Sequence, residues 1–390
     1  MQIDQVLKLF LFSSVLIPIT IIIFYGTMLT YYYKLKHKKY ELSYKIKYNK
    51  LPDINILIPT HNEETIISKR IENISNTNYP IEKIKTIFID DSSDSTPDII
   101  NKYAEKNNNV YLIHFNNRIG YSSAIQAGIQ ASNTDVIVLN EAGSFPRPDA
   151  LLRLISHFEN PEIGGVSGKS EILNREEKIG KMECLYLKII NFIRESESYM
   201  DSTFYIKGEA TAYRKDLVSD IKVIPNTGAI DNSMAFLVRK KGYKCIYDPN
   251  VVFDEYAPSD DVGYIKQKTT RAANWMRYLL VHRDMIFSRK YGKFGCLTLP
   301  FNFLMLFIFP FFPLIFISSI LIGLFTSPVF FIRISILLII ITFLIALLAK
   351  NFLVLLIEIE ISLLKAIYEI FLIRKEHDKI ERVESTRKIV

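Results

Sequence analysis

Two long stretches without charge constrain this chain more than any other feature of its 390 residues. Residues 9–33 contain no charged side chain over 25 positions, and residues 295–332 again contain none. About 20 apolar residues are enough for a helix to cross the hydrocarbon core of a bilayer. A cleaved signal peptide is the alternative for the first stretch, but its apolar region would be shorter and followed by small residues. The stretch ends instead in the bulky run Tyr31–Tyr33, so we predict an uncleaved membrane anchor over residues 1–33.

The charge next to this anchor gives its expected orientation. From Lys34 to Lys50 there are seven lysines against one acid, Glu41. Lysines that flank an apolar span favour the cytoplasmic side of a membrane. The formal net charge of +7 raises the alternative of nucleic-acid binding, but much of the excess lies in this flank. We therefore predict a basic cytoplasmic linker over 34–51, contact with membrane lipids, and no nucleic-acid partner.

The second apolar region predicts two or three membrane helices over residues 293–373. Prolines interrupt it, so we expect a hairpin with spans near 298–325 and 329–349. In the segment 351–373, polar side chains at spacings of four, three and four form one helical stripe, consisting of Glu358, Ser362, Lys365 and Glu369. This segment is either a third span or a helix at the membrane interface. The basic tail, 374–390, is predicted to be cytoplasmic and therefore favours the interfacial helix.

Cysteine and histidine spacing argues against two other classes of protein. The cysteines are three in number and far apart, at Cys184, Cys245 and Cys296, so no disulfide framework is implied. Neither they nor the six histidines have the spacing of zinc ligands. We expect buried or membrane-facing thiols and no zinc chemistry.

The middle of the chain, residues 52–292, alternates strand-like and helix-like runs. Short apolar runs suited to strands buried on both faces of a parallel sheet are Ile54–Pro59, Ile84–Ile89, Val110–Phe115 and Val136–Leu139. Helical stretches begin between them, near Glu63, Ser95 and Gly120. Repeated strand–helix units predict a doubly wound α/β sheet, in which ligands bind at the carboxyl ends of the strands.

Polar residues follow the first two predicted strands. The first strand is followed by the sequence PTHNEE and the second by DDSSDST. Two adjacent carboxylates at a strand end are costly unless donors or a metal meet them. Helix capping explains Asp94 and Ser95 but not Asp90 and Asp91, which lie at the strand tip. We expect Asp90 and Asp91 to contact a ligand, since a nucleotide base offers an N–H donor and a ribose offers hydroxyl groups.

These motifs, together with later ones in the same order, resemble glycosyltransferase family 2. The first two are "IPTHNEE" and, about 30 residues later, "FIDDSSDST". The later ones are "RIGYSSAIQAG", "DVIVLNEAGSFPRPDAL", "KGEATAYRKDLV", "AIDNSMAFLVRKKGYKCIYDPNVVFDEYAP" and, more loosely, "YIKQKTTRAANW". The resemblance covers nearly all of the region between the apolar stretches.

The resemblance implies a GT-A fold, which is a Rossmann-like nucleotide-diphospho-sugar transferase domain, flanked here by transmembrane helices. It implies inverting transfer of a sugar from a UDP- or GDP-sugar to a lipid-linked or polysaccharide acceptor at the cytoplasmic membrane face. The acceptor hydroxyl needs a carboxylate base. The diphosphate leaving group needs positive charge, usually from a divalent metal, so Mg²⁺ or Mn²⁺ is the expected cofactor.

The resemblance also gives roles to particular residues. Asp231 is the expected catalytic base, because the family's catalytic Asp stands eleven positions before the Gly of the Gly242-Tyr243 turn. The alternative role of Asp231 is to cap the helix that follows it. The expected donor-binding residues are Pro59, Thr60, Asn62, Glu63, Asp90, Asp91, Gly120 and Glu141. Those expected on the acceptor or diphosphate side are Gly208, Glu209, Arg214, Glu255, Gln267, Arg271 and Trp275.

The chain departs from the family pattern at the metal motif. Alignment places Glu141, Ala142 and Gly143 on the DxD motif, so the second carboxylate is missing and Glu141 remains as a weak candidate metal ligand. Tyr121 stands where the family often has lysine. Two interpretations stay open. One is a subfamily with another donor or a weakened metal site, and the other is a catalytically degenerate, membrane-tethered domain that binds nucleotide sugar.

A basic helix is predicted immediately before the second apolar region, over residues 262–293. It carries eight lysines and arginines, with aromatic and aliphatic residues among them from Trp275 to Leu280. Such a helix lies near lipid headgroups or presents an ordinary solvated face. Trp275, the only tryptophan, is a candidate sugar platform or interfacial anchor. A processive synthase with its own polymer channel is a further alternative, for which two or three C-terminal spans are few.

Overall fold

The computed structural model describes most of the chain. The residues described are 2–37, 51–208, 211–223 and 230–373. The predicted basic tail and most of the predicted basic linker lie outside the described residues, as do residues 209–210 and 224–229.

A sheet of eight strands forms the centre of the middle region. In chain order the strands are β1 Ile54–Thr60, β2 Ile84–Asp90, β3 Val110–His114, β4 Val136–Leu139, β5 Phe145–Pro146, β6 Ile163–Ile172, β7 Thr211–Arg214 and β8 Lys244–Glu255. In space they lie in the order β3-β2-β1-β4-β7-β6-β8-β5. Strand β1 pairs in parallel with β2 and β4, and β2 with β3, so these four strands form the predicted doubly wound half. Every residue of β1 is buried, as expected for a strand covered on both faces.

The second half of the sheet mixes strand directions. Strand β7 runs antiparallel to both β4 and β6, whereas β6 and β8 run parallel to each other. Strand β5 adds a short antiparallel edge to β8. The predicted α/β fold is confirmed, and its continuous parallel part is limited to the first four strands.

Helices cover both faces of the sheet. In chain order they are α1 Gln2–His37, α2 Ile67–Ser75, α3 Thr96–Ala104, α4 Tyr121–Ala131, α5 Ala150–Ser156, α6 Lys178–Met200, α7 Lys215–Val218, α8 Ile230–Lys240, α9 Asp261–Val281, α10 Leu299–Phe303, α11 Phe312–Thr326 and α12 Pro328–Tyr368. Alternate residues of β1 face opposite cores. Ile54, Ile56 and Ile58 pack with α2 and α5, and Leu57 packs with α4 and α8.

Two described helical regions are long and apolar enough to cross a membrane. They are Asp4–Leu35, within α1, and Phe294–Thr326, which includes α10 and α11. Helix α1 packs along α11 and also contacts α6, where the rings of Tyr33 and Phe192 are 5.7 Å apart. These helices support the predicted membrane association, while the orientation across the membrane stays a prediction.

The last helix is sharply bent. Its first segment, Pro328–Leu344, and the helical segment Ala346–Ile373, which continues past the end of α12, are bent by 96° relative to each other. The second, which we call the final arm, packs on α9 and α6, with Val354 against Tyr264. Three polar side chains of the predicted stripe are at most 9% exposed, namely Glu358, Ser362 and Glu369. Burial of this stripe against the protein is compatible with an interfacial helix and with a third span whose polar face lies in the helix bundle, so both alternatives stay predictions.

Candidate functional site

The sheet register brings several chain segments to one edge. Thr60, Asp90 and His114 pair across neighbouring parallel strands, so the loops after β1 and β2 begin side by side. Strand β4 ends at Leu139, which pairs with Thr211 at the start of antiparallel β7. Thr211, the first residue of β7, therefore lies at the same edge as the residues that follow β4. We take this edge as the candidate site.

Asp90 is completely buried at this edge, and protein donors fill its acceptor sites. Its carboxylate oxygens lie 2.7 Å from Thr60 Oγ1, 2.6 Å from Ser92 Oγ, 3.2 Å from Ser92 N and 2.8 Å from His114 Nδ1. A carboxylate offers about four acceptor sites. Asp90 therefore holds the ends of β1, β2 and β3 together, and its contact with a bound nucleotide stays a prediction.

Asp91 differs from Asp90 because an acceptor site remains. Its Oδ2 accepts hydrogen bonds from the backbone N–H groups of Ile119 and Gly120, at 2.9 and 3.0 Å. Its Oδ1 lies 2.8 Å from His61 Nδ1. The residue is 9% exposed, so about one lone pair is left for a ligand at the surface. Asp91 also fixes the start of α4 beside the loop that follows β1.

The loop after β1 is tied to the loop after β2. Asn62 adopts a left-handed backbone with φ 56°, its N–H donates to Ser92 Oγ at 2.8 Å, and its Oδ1 accepts from Ser93 N at 2.9 Å. The N–H of the buried Glu63 donates to Thr96 Oγ1 at 2.8 Å. Hydrogen bonds thus connect the predicted residues Thr60, Asn62 and Glu63 to the end of β2 and the loop after it. Pro59 is a buried residue of β1 beneath them.

Gly120 supplies a backbone conformation that other residues rarely adopt. It precedes α4 with φ 83°, and only glycine takes such a conformation without strain. Since it also lacks a side chain, a ligand can approach the backbone closely at the first turn of α4. The N-terminal N–H groups of a helix are suited to a phosphate, which agrees with the predicted donor-side location of Gly120.

Glu141 follows β4 at the same edge and is half-buried. Its neighbour Asn140 is buried and accepts a hydrogen bond from Nη2 of Arg70, whose pKa burial lowers to about 9. Within the described ranges, no group of three or more His, Cys, Asp or Glu residues is arranged to hold a metal ion. A divalent cation at Glu141 would therefore take most of its ligands from the diphosphate and water.

Asp231 lies in the first turn of α8 and reaches the edge next to Gly208. A Cβ atom placed on Gly208 would meet Tyr121 Oη at 2.5 Å and Asp231 Oδ2 at 3.3 Å. Asp231 is 7% exposed, and its backbone oxygen accepts a hydrogen bond from Tyr213 Oη at 3.0 Å. The structure thus brings the predicted base, Asp231, together with the predicted Gly208 and with Tyr121.

Trp275 on α9 packs beside the same turn of α8. Its ring lies 4.7 Å from that of Tyr205, edge to face. In the amide orientation that satisfies both polar atoms, Asn232 accepts from Trp275 Nε1 at 3.3 Å and donates to Ile206 O at 3.1 Å. The indole is therefore held by protein contacts next to Asp231, and its role as a sugar platform or an interfacial anchor stays a prediction.

Three ion pairs lie on the expected acceptor side. Lys207 Nζ is 3.1 Å from Glu255 Oε1 and donates to Ser170 Oγ at 3.0 Å. On α9, Lys268 Nζ is 2.6 Å from Glu183 Oε2, and Arg271 Nη1 is 3.6 Å from Glu183 Oε1. Lys207, Glu183 and Lys268 were not predicted from the sequence, because the members of each pair lie 48 and 85 positions apart along the chain. Gln267 and Arg271 are half-buried on α9, one turn apart, with Trp275 one turn further.

Arg214 does not belong to this edge. It pairs with Val136, at the beginning of β4, and so lies at the opposite edge of the sheet. Its guanidinium donates to backbone oxygens of Ile163 at 2.9 Å and Phe158 at 2.7 Å. Arg214 therefore anchors the entry to β6, and its predicted role on the acceptor or diphosphate side is corrected. The predicted Glu209 lies outside the described residues.

Comparison with known proteins adds evidence from relatives. Residues 55–222 match the family model described as Glycosyl transferase family 2. The chain is similar to the poly-beta-1,6-N-acetyl-D-glucosamine synthase of Staphylococcus aureus (strain COL), with 27% identity over 296 residues, 72% of this chain and 70% of that protein. The protein of the same name from Staphylococcus epidermidis is 26% identical over 291 residues, 73% of this chain and 69% of that protein.

A solved structure resembles the fold over nearly the whole chain. Mannosyltransferase PcManGT from Pyrobaculum calidifontis, in complex with GDP-Man and Mn²⁺, superposes with a TM-score of 0.74 and 20% sequence identity. The match covers 95% of this chain and 100% of that one. It confirms the predicted GT-A fold.

Proposed function

The chain carries a glycosyltransferase family 2 domain, and from this premise we propose that it is an inverting enzyme of the membrane surface. It uses a nucleotide-diphospho-sugar as donor. The acceptor is a lipid-linked species or a growing polysaccharide at the cytoplasmic face. The lysine-rich flank after α1 supports that face, and the names of the staphylococcal relatives make an N-acetylglucosamine nucleotide the first donor to test.

The catalytic step is assigned to Asp231. Its carboxylate takes the proton of the acceptor hydroxyl while that oxygen attacks the anomeric carbon of the donor sugar. The bond from that carbon to the diphosphate breaks on the opposite face, and the nucleoside diphosphate leaves with the bonding electrons. Because one in-line displacement occurs, the anomeric configuration inverts. The observation that carries this assignment is the convergence of Asp231 with Gly208 at the edge where the strand-end loops meet.

The donor lies along the loops after β1 and β2. Asp91 retains an acceptor site for a nucleotide N–H or a ribose hydroxyl, while Asp90 positions these loops from below. The N–H groups at the start of α4 favour the negative charge of the diphosphate. Asn62 and Glu63 keep this surface in place through their hydrogen bonds.

The departing diphosphate needs positive charge, which Arg271 on α9 supplies. Gln267 and Trp275 share its helix and are assigned to the same side of the site. Glu141, with the diphosphate, would hold Mg²⁺ or Mn²⁺, which neutralises the negative charge that develops on the leaving group. With one carboxylate in place of two, we propose that cation binding depends on the donor being bound.

The test is substitution of the proposed base, Asp231→Asn. The amide cannot accept a proton at neutral pH, so sugar transfer should fall by about 10²- to 10⁴-fold while donor affinity stays the same. Transfer is measured with radiolabelled donor, and affinity by calorimetry with and without Mg²⁺. Asp98→Asn, on the exposed side of α3, is the matched control and should retain full transfer.

Three outcomes have distinct meanings. Unchanged transfer by the Asp231→Asn variant would place the base elsewhere. Donor binding by the wild type without turnover of any donor would favour a catalytically degenerate binding domain, which the single carboxylate of the metal motif makes the second candidate. Product length in the wild-type reaction separates single transfer from processive synthesis.

A further inference from the structure

Tyr121 occupies an unusual place relative to the proposed base. It is the first residue of α4 and directly follows Gly120, whose N–H is bound by Asp91. Its ring packs against the apolar core beneath α4 and α8. The hydroxyl end of the side chain emerges at Gly208, where Asp231 also ends.

The two side-chain oxygens lie close to a single point. The position of a Cβ on Gly208 is 2.5 Å from Tyr121 Oη and 3.3 Å from Asp231 Oδ2. A contact of 2.5 Å is too short for a methyl group, so the tyrosine hydroxyl fills the space that a side chain at residue 208 would need. Gly208 thus leaves room for a hydroxyl group beside the carboxylate.

We propose that Tyr121 is a positioning residue for Asp231, an inference that rests on the proposed function. The hydroxyl donates a hydrogen bond to the Asp231 carboxylate, orients it toward the acceptor and favours its ionised form. A hydrogen bond to the charged form of an acid stabilises that form. The family often has lysine at this position. In this chain the hydrogen-bond donor is instead a phenol, which carries no charge.

The same residue connects the two halves of the site. Asp91, on the donor side, fixes the backbone at Gly120, and the next residue reaches the base on the acceptor side. A shift of the first turn of α4 would therefore move the tyrosine hydroxyl relative to Asp231. In this arrangement the donor loop and the base are held in register by two consecutive residues.

The decisive experiment compares the wild type with Tyr121→Phe, which keeps the ring and removes the hydroxyl. We expect kcat to fall by about 10- to 100-fold with donor affinity unchanged. The acid limb of the kcat/KM profile should move to higher pH by roughly half to one unit, because the base loses a donor to its ionised form. Tyr111→Phe, at a tyrosine on β3 that is 42% exposed, is the control and should change neither kcat nor the pH profile.

A second variant checks the contact independently of chemistry. Gly208→Ala places a methyl group against the hydroxyl and should lower the melting temperature of the wild type more than that of the Tyr121→Phe variant. Equal losses in both backgrounds, or a Tyr121→Phe variant with wild-type kcat and pH profile, overturn the proposal while leaving the proposed function intact. A wild type that transfers no sugar refutes the proposed function and this inference with it.

Discussion

Helix α6 carries two buried carboxylates, Glu183 and Glu197, in opposite surroundings. Glu183 is 2% exposed and faces the cations of α9, Lys268 and Arg271. Glu197 is 0% exposed and accepts hydrogen bonds from four neutral donors: Tyr25 Oη at 2.7 Å, Thr203 Oγ1 at 3.0 Å, Phe204 N at 2.9 Å and Asn302 Nδ2 at 3.3 Å. The two carboxylates are therefore buried to a similar extent, but Glu183 faces cations and Glu197 faces neutral donors.

The partners decide the charge of each group. Burial opposes ionisation of Glu183, but the charges of Lys268 and Arg271 outweigh it and hold the pKa of Glu183 below its usual range. Burial raises the pKa of Glu197 to about 7, against the opposing effect of its hydrogen bonds. At Glu197 the hydrogen bonds from neutral donors do not outweigh burial, whereas at Glu183 the opposite charges do.

The two carboxylates also join α6 to different parts of the molecule. Glu183 joins it to α9, the helix of Arg271 and Trp275, and so bears on the candidate site. Glu197 joins it to the apolar helices, through Tyr25 of α1 and Asn302 of α10. Loss of the Glu183 contacts should disturb the candidate site. Loss of the Glu197 contacts should weaken the packing of the domain against the apolar helices.

The largest effect is expected from Glu183→Gln, which leaves the ammonium group of Lys268 buried without its counter-charge. Breaking a buried pair by removing one partner costs about 3–5 kcal/mol, so the melting temperature should fall by about 10 °C. Asp261→Asn is a matched control, because Asp261 pairs at 2.9 Å with Lys178 between the same two helices at exposed positions. That control should cost less than about 1 kcal/mol.

A double variant sharpens this prediction. Replacing both partners, as in Glu183→Gln with Lys268→Met, removes the orphaned charge and should recover much of the lost stability. Thermal unfolding in detergent is the measurement. If the double variant is less stable than Glu183→Gln alone, the loss does not come from the unpaired charge.

An intermediate effect is expected from pH acting on Glu197. Its pKa in the folded protein, about 7, lies above the unfolded value of 4.5, so the folded state holds the proton more tightly. The stability from this group is complete below pH 4.5 and declines as the pH rises through 7, by about 3 kcal/mol in all. Glu197→Gln cannot ionise, so its stability relative to the wild type should rise between pH 5 and pH 8.

The comparison is made by unfolding both proteins across that range. Glu176→Gln, at a side chain that is 85% exposed, is the control, and its difference from the wild type should stay flat. A difference between wild type and Glu197→Gln that does not vary with pH would mean that Glu197 is already ionised at pH 5.

The smallest effect is expected from Tyr25→Phe. The change removes one hydrogen bond to Glu197 and keeps the ring stacked on Phe301, with centroids 3.6 Å apart. The loss should be about 1 kcal/mol, or roughly 2–4 °C in melting temperature. Tyr31→Phe, at a tyrosine of the same helix that is 58% exposed, should be neutral. A loss as large as that of Glu183→Gln would remove the contrast between the two carboxylates.

The sequence predicted the elements whose signals are local. The four apolar runs became β1 to β4, because strands buried on both faces need such runs. The register of the Gly242-Tyr243 turn placed Asp231, which the structure brings to the strand-end edge. The motifs therefore predicted which residues of several loops lie at the strand-end edge. They could not predict the hydrogen bonds that these residues make. Asp90 and Asp91 are adjacent aspartates in the sequence, but they accept hydrogen bonds from different numbers of protein donors.

The features that the sequence did not reveal depend on distant partners or on strand direction. Glu183 meets Lys268 only because α6 and α9 pack together. Arg214 and Gly208 belong to one motif, yet β7 lies between them, and a strand advances by about 3.3 Å per residue, which gives about 10 Å over Thr211–Arg214. Because β7 runs antiparallel to β4, that distance takes Arg214 to the far edge.

Because the last helix is bent, the folded unit extends beyond residue 292, the predicted end of the glycosyltransferase domain. The final arm, Ala346–Ile373, packs on α9, with Val354 against Tyr264 and Ala366 in the core that holds Ala272. A fragment truncated at residue 292 would lose this cover and expose one flank of the helix that carries Arg271. For protein production, we therefore expect the shortest intact unit to extend to residue 373, since the chain returns to α9 after the apolar hairpin.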